Sequence, residues 1–303
     1  MATQPRRYST PETNGRLGSQ FDADGFQQAL ARWNRTRLAP AFPEDVTPDS
    51  LAADQAMSRL ERGFLEALRA QVRDRAAAVP TDAAGFIAWF EDLKQVGPGQ
   101  GDPLFPWLAE EASRDDIRWF LTQEAAGEAG FDDLVAATQV KMPVQPKLEL
   151  ARNYWDEMGQ GNARGMHGPM LAGLVDTLDL EPTIENTVWQ SLALANAMTG
   201  MAMSRAYAWH SVGALGVIEL TAPGRSDYTA KALRRIGLND RERRYFSLHA
   251  VLDVKHSADW NREVIAPLVS EDPRRAHAIA EGALMRLECG RACFDAYRAY
   301  LWG

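Results

Sequence analysis

The sequence predicts an all-α protein. Apolar residues recur at helical spacing in almost every segment long enough to show a period, and no alternating run of β-branched residues marks a strand. The breaks between periodic segments are short clusters of Pro, Gly, Ser and Asp. With 303 residues, 46% of them apolar, the chain can bury a substantial core without disulfide help.

Taken in order, residues 1–20 are polar and punctuated by Pro5, Pro11, Gly15 and Gly18, which reads as a flexible arm. No apolar core follows Arg6 and Arg7, so the arm is expected to be neither a signal peptide nor an anchor. A short helix is expected over 26–35 and a longer one over 50–78, with Leu51, Met57, Leu60, Phe64, Leu65 and Leu68 as its apolar stripe. Pro80 stops that helix, and Thr81 is expected to cap the next, which carries Phe86, Trp89 and Phe90. Residues 97–103 form a loop.

From Asp115 core helices follow one another, first with Ile117, Phe120 and Leu121, then with Phe131, Leu134 and Val135, the latter expected to close at Pro143 and Pro146. The run 147–158 ends at Gly159, and Gly161 with Asn162 reads as a C-cap followed directly by an N-cap. A helix carrying His167 comes next. One long apolar helix is expected over 184–220, broken by Pro223 and Gly224, with a short helix before Gly237. Asn239 or Asp240 caps the helix that bears His249, and Asp272 with Pro273 opens the last one.

The net charge of −8 is spread along the chain without a basic stripe, which argues against nucleic acid as a partner. No segment reaches the ~20 consecutive apolar residues of a membrane span, so no membrane partner is expected either. Cys289 and Cys293, four residues apart on one side of a helix, read as buried free thiols of a reducing compartment, and the protein is expected in the cytoplasm.

Chemistry concentrates between Tyr245 and His256. Side chains three, four and seven apart share a helix face, so His249, Asp253 and His256 converge while Leu252 and Lys255 turn away. Imidazole with carboxylate suits iron, manganese or zinc better than calcium or magnesium. Further ligands must come from other helices. Glu219 is an acid at the end of the apolar run Gly213-Ala214-Leu215-Gly216-Val217-Ile218. Glu157 sits at a helix C-terminus, an unfavourable place for a carboxylate without a cation nearby. His167 opens the following helix. Ten residues of straight helix would part Glu157 from His167 by ~15 Å, but if the chain turns in between, with Gly159 or Gly161 expected to take positive φ, both can approach one site.

The order Glu157, His167, Glu219 and His249-x-x-x-Asp253-x-x-His256, together with Asn153-Tyr154-Trp155-Asp156-Glu157-Met158-Gly159, resembles the haem-oxygenase-like di-iron oxidases, the iron-containing redox enzymes. The resemblance extends from about Asp115 to the carboxyl terminus. It implies a seven-helix di-iron domain over 113–303, behind an additional helical region over 21–112. The six residues would hold two Fe2+ ions that activate dioxygen, and an extra acid, Glu124 or Glu128, would join from the first core helix.

The implied reactions are N-oxygenation, desaturation or carbon–carbon cleavage of an amino acid, amine or fatty acid, with electrons from an external donor and a homodimeric assembly. Two other readings are open: an iron-binding protein of the same fold without catalysis, and a metal-free enzyme related to thiaminase II and quinone-cofactor synthase, for which Cys289 or Cys293 would supply the reactive group. His210, nine residues before Glu219, is expected to be structural or exposed, and His277 solvated.

Overall fold

The computed structural model describes residues 21–128 and 130–303, so the arm read over residues 1–20 lies outside the described residues. Every regular element among the described residues is helical, as the periodicity predicts. Helices α1 (Asp24–Leu38), α2 (Pro48–Ala77), α3 (Ala83–Val96) and α4 (Leu104–Glu110) precede the core series. The start of α2 is fixed by a reciprocal cap, in which Thr47 Oγ1 accepts from Ser50 N and Ser50 Oγ accepts from Thr47 N. Asp82, rather than Thr81, caps α3 through Gly85 N at 2.8 Å. Its carboxylate matches the orphan amides as well as a hydroxyl does, and lies one residue closer to the first turn.

The core series runs α5 (Arg114–Gly127), α6 (Phe131–Thr138), α7 (Val144–Glu157), α8 (His167–Leu178), α9 (Trp189–Met203), α10 (Ala208–Arg235) and α11 (Arg244–Asp259). From α11 the chain continues through a π-helical turn (Trp260–Ile265) into α12 (Ala266–Glu271), and α13 (Arg274–Leu301) completes the fold. Several expectations fail in this stretch. Neither Asn239 nor Asp240 caps α11, which opens at Arg243 without a side-chain cap, because Asn239 Oδ1 accepts from Arg241 N and Glu242 N in the turn before it. Pro143 and Pro146 do not close α6 but open α7, where a missing N–H costs nothing because the first turn has no intrahelical acceptor for it. The single helix expected over 184–220 is two helices, parted at Ser204 and the 3-10 turn Arg205–Tyr207, and the second runs on through Pro223 and Gly224 to Arg235. Pro223 removes one hydrogen bond, that to the Glu219 carbonyl, from a 28-residue helix held along its length by buried side chains.

The core is organised around α10, which packs on α11, α13, α9, α4 and α3. Its crossing with α13 is close because Gly213 and Gly282 carry no side chain: a Cβ on either would lie 1.9 Å from the carbonyl oxygen of Ile279 or His210, respectively. The early helices share this core, α1 lying on α9 and α2 on α13, and one hydrophobic cluster extends from Phe21 to Tyr297. A polar link crosses it. Arg69 on α2 pairs with Glu281 Oε2 at 2.7 Å, and His210 Nε2 lies 2.8 Å from the same oxygen. His210 is thus structural. His277 is half-buried, with Nδ1 3.0 Å from the Ala76 carbonyl, and is not the solvated residue expected. No helix among the described residues is long and apolar enough to cross a membrane.

Candidate metal centre

Four helices meet around one group of six side chains. His249, Asp253 and His256 lie on one face of α11, Glu219 on the neighbouring α10, Glu157 at the end of α7 and His167 at the start of α8. The last two meet because the chain reverses between them. Gly159, Gln160 and Gly161 all take positive φ (59°, 53° and 84°), and two 3-10 turns fill the gap. His167 Nδ1 consequently lies 2.7 Å from Glu157 Oε2.

The six residues sort into two triads, Glu157 with His167 and His249, and Glu219 with Asp253 and His256. Within each triad the donor atoms all lie within 4.8 Å of one another. All are buried except His249, which is half-buried.

Neighbouring groups fix the rings. His249 Nδ1 lies 2.7 Å from the Tyr245 carbonyl, an acceptor, so Nδ1 carries the proton and Nε2 keeps its lone pair. His256 Nε2 donates to Asp156 Oδ2 at 3.1 Å, leaving Nδ1 toward Glu219 at 3.5 Å. Asn153 Nδ2 donates to Glu219 Oε1 at 2.6 Å. Within the triads two ring nitrogens, His167 Nδ1 and His256 Nδ1, are buried with no hydrogen-bond partner. Each nevertheless faces a carboxylate, the first at 2.7 Å without hydrogen-bond geometry. A lone pair and a carboxylate oxygen turned toward the same point is what two donors to one cation look like.

The electrostatics agree. Burial raises Glu157 to about 9, with Glu219 and Glu128 adding to the effect. Burial, then Glu219 and Glu157, raises Asp253 to about 10. Burial and His167 hold His249 down to about 4, and burial lowers His167 too. For His256, burial opposes the charged form, but Glu219 and Asp156 together outweigh it and raise the ring to about 9. Carboxylates this close cannot all ionise without positive charge between them, and the mixed imidazole and carboxylate set fits a first-row transition metal.

The triads border a cavity of about 160 Å³ that is walled in part by apolar side chains, among them Leu121, Leu174, Ile218 and Phe246, and for the rest by polar and charged ones. Glu124 and Glu128 also line it, but neither belongs to a triad. Glu124 accepts from the Tyr297 hydroxyl at 2.9 Å, and Glu128 accepts from Phe131 N at 3.2 Å. Cys289 and Cys293 are buried free thiols that do not line this cavity. Burial pushes Cys289 up to about 12 and raises Cys293 as well, which denies both the thiolate character of a nucleophile.

A family model for iron-containing redox enzymes matches residues 118–291, a span that holds all six triad residues. The chain belongs to the iron-containing redox enzyme family. No curated protein matches it. In this iron-containing redox enzyme the matched span begins within α5 and ends within α13, so the site helices α7, α8, α10 and α11 all fall inside it, while α1 to α4 precede it. The haem-oxygenase-like, all-helical fold and an iron-dependent redox role follow from that membership.

The sequence places Asn153 and Asp156 in the motif around Glu157 but assigns them no role of their own, and it does not mark Arg225 and Arg286 at all. Asn153 had a signal, since it stands four residues before Glu157 on the same face of α7. Asp156 had a weaker one, adjacency to Glu157. The two arginines, which line the cavity, had none.

Proposed function

We propose that this iron-containing redox enzyme is a non-haem di-iron oxidase or oxygenase. One Fe2+ would be held by Glu157, His167 and His249, and the other by Glu219, Asp253 and His256. The observation that carries this is the pair of three-donor groups on one cavity, each with a buried ring nitrogen that lacks a hydrogen-bond partner. When bound, the two irons would supply dioxygen activation, with electrons from an external donor. The substrate is a small molecule of the amino acid, amine or fatty acid kind.

The protein's own part is to hold donors, protons and water in place. Glu157 and Asp253, kept protonated by burial, release their protons as a cation enters. His256 gives up the proton at Nδ1 and keeps the one at Nε2, whose hydrogen bond Asp156 accepts, so the ring cannot rotate away from the site. The Tyr245 carbonyl does the same for His249. Asn153 occupies one oxygen of Glu219 and leaves the other toward the triad. The apolar wall of Leu121, Leu174, Ile218 and Phe246 keeps bulk water from the reacting end of a substrate.

The test is anaerobic iron loading of chelator-free protein, followed by metal analysis and oxygen uptake with a reductant and candidate acids and amines. Two irons per chain are expected, with uptake that depends on iron. His256→Ala should lose about one iron per chain with helix content retained, because a large core does not depend on the metal. Tight iron without oxygen uptake under any of these conditions would favour the non-catalytic iron-binding protein.

A further inference from the structure

Helix α10 turns a ridge of Ile218, Ala222, Arg225 and Thr229 toward the cavity, at intervals of four, three and four residues. Arg286 reaches the same cavity from α13. Both arginines are unusual here. Among the described residues neither has a carboxylate oxygen within the 4.0 Å of an ion pair. Arg225 donates to Thr221 Oγ1 at 3.2 Å and lies over the Phe294 ring at 5.6 Å. Buried Arg286 Nε has no hydrogen-bond partner at all. Burial and the Arg286 charge bring Arg225 down to about 10, and Glu124, which acts the other way, has one oxygen committed to Tyr297.

Two guanidiniums that share a recessed cavity repel each other and keep unsatisfied donors. Glu124 and Glu128 line the same cavity and feel the Arg286 charge, but neither makes an ion-pair contact with either arginine, so the forks are left open to an anion lying between them. Their planar forks match a carboxylate, which can accept two parallel hydrogen bonds from each. We propose that Arg225 and Arg286 form a carboxylate-binding subsite that anchors the substrate by its acid head, with its chain laid along Leu121, Leu174 and Ile218. This rests on the triads being the reaction centre and narrows the substrate to a small organic acid held by protein rather than by metal. A cavity of about 160 Å³ is close to the ~150 Å³ that accommodates benzene, which limits the acid to on the order of six to eight non-hydrogen atoms.

The experiment is calorimetric titration of the full chain, iron-loaded under nitrogen and separately stripped with chelator, using hexanoate, 1-hexanol, hexylamine and inorganic phosphate as probes. Iron is measured on every sample. Hexanoate should bind both forms about tenfold or more tighter than 1-hexanol, since charge-assisted bidentate bonds are the strong ones. Arg225→Gln and Arg286→Gln should each weaken hexanoate by about tenfold or more while leaving 1-hexanol binding and iron content at the wild-type level. Where a Gln variant fails to fold, as read by circular dichroism, Arg225→Lys and Arg286→Lys decide, with a smaller loss confined to the acid probe. Unchanged hexanoate affinity in the arginine variants overturns the proposal. So does hexanoate binding that disappears on iron removal, which would place the acid on the metal, and so does phosphate or hexylamine binding tighter than hexanoate. Hexanoate binding that needs the arginines, in protein that takes up no iron, would sink the di-iron reading and leave the subsite standing.

Discussion

Four ionisable side chains of the site, Glu157, Asp253, His256 and His249, give the iron-free protein a pH dependence with a definite sign. Glu157 and Asp253 are raised by burial to about 9 and about 10, against ~4 for such groups in an unfolded chain. Between those values the folded chain holds protons that the unfolded chain has released, so stability falls as pH rises. His256, raised to about 9 by Glu219 and Asp156 against the effect of burial, acts in the same sense from ~6.5 upward. His249, held near 4 by burial and His167, acts oppositely, but only below ~6.5, where the unfolded ring gains a proton that the folded one refuses. From about pH 6.5 to about pH 9 the three raised groups therefore agree. The melting temperature of chelator-treated protein should fall across that range in scanning calorimetry, and less so after iron loading; a flat or rising trend would contradict the assigned environments. At this scale the sequence was informative where residue type and helical spacing coincide: His249, Asp253 and His256 share a face by arithmetic, and Glu219 stands out as an acid in an apolar run. Arg225 and Arg286 were invisible because a lone arginine in a helix is ordinarily solvated, and only tertiary packing turns these two inward.

Among the elements, the reversal between α7 and α8 is the most sensitive to a small change. A Cβ on Gly159 would lie 2.3 Å from the Gly165 carbonyl carbon and 2.6 Å from Met166 N, at a backbone φ of 59°. Gly159→Ala should therefore open the turn, separate Glu157 from His167 and weaken iron retention against a competing chelator, at a cost of about 1 kcal/mol or more from the strained φ alone. Gly173→Ala, where a Cβ meets nothing within 4 Å, is the matched control and should retain iron normally. A Gly159→Ala protein with wild-type retention would show that the two donors do not depend on this turn. The positive φ was legible because glycine is the residue that supplies it. The division of 184–220 into α9 and α10 was not, because Ser204 and Tyr207 carry no breaker signal, while Pro223, the strongest breaker in the region, lies inside a helix whose packing absorbs its missing hydrogen bond.

Across the whole molecule, helix type and approximate extent followed from periodicity, but the assembly of early and late segments did not. Nothing in the pattern pairs Arg69 with Glu281 or lays α1 against α9, since such contacts depend on complementary surfaces brought from opposite ends of the chain. The central place of α13, packed on α10, α9 and α2 and crossing α10 where Gly213 meets Gly282, has a consequence for biosynthesis. Every one of the six triad residues leaves the ribosome before α13 does, yet until that helix emerges α10 lacks one of its two most extensive packing partners and rests chiefly on α11, α9, α4 and α3. Nascent chains stalled just before Arg274 should consequently be cut readily by protease and retain no iron, whereas chains stalled well past Gly303 on an added linker should resist cleavage. Protection at the earlier stall would mean that the donor helices assemble without α13. Otherwise the metal centre is built only after synthesis of α13 is complete, and iron enters a finished fold.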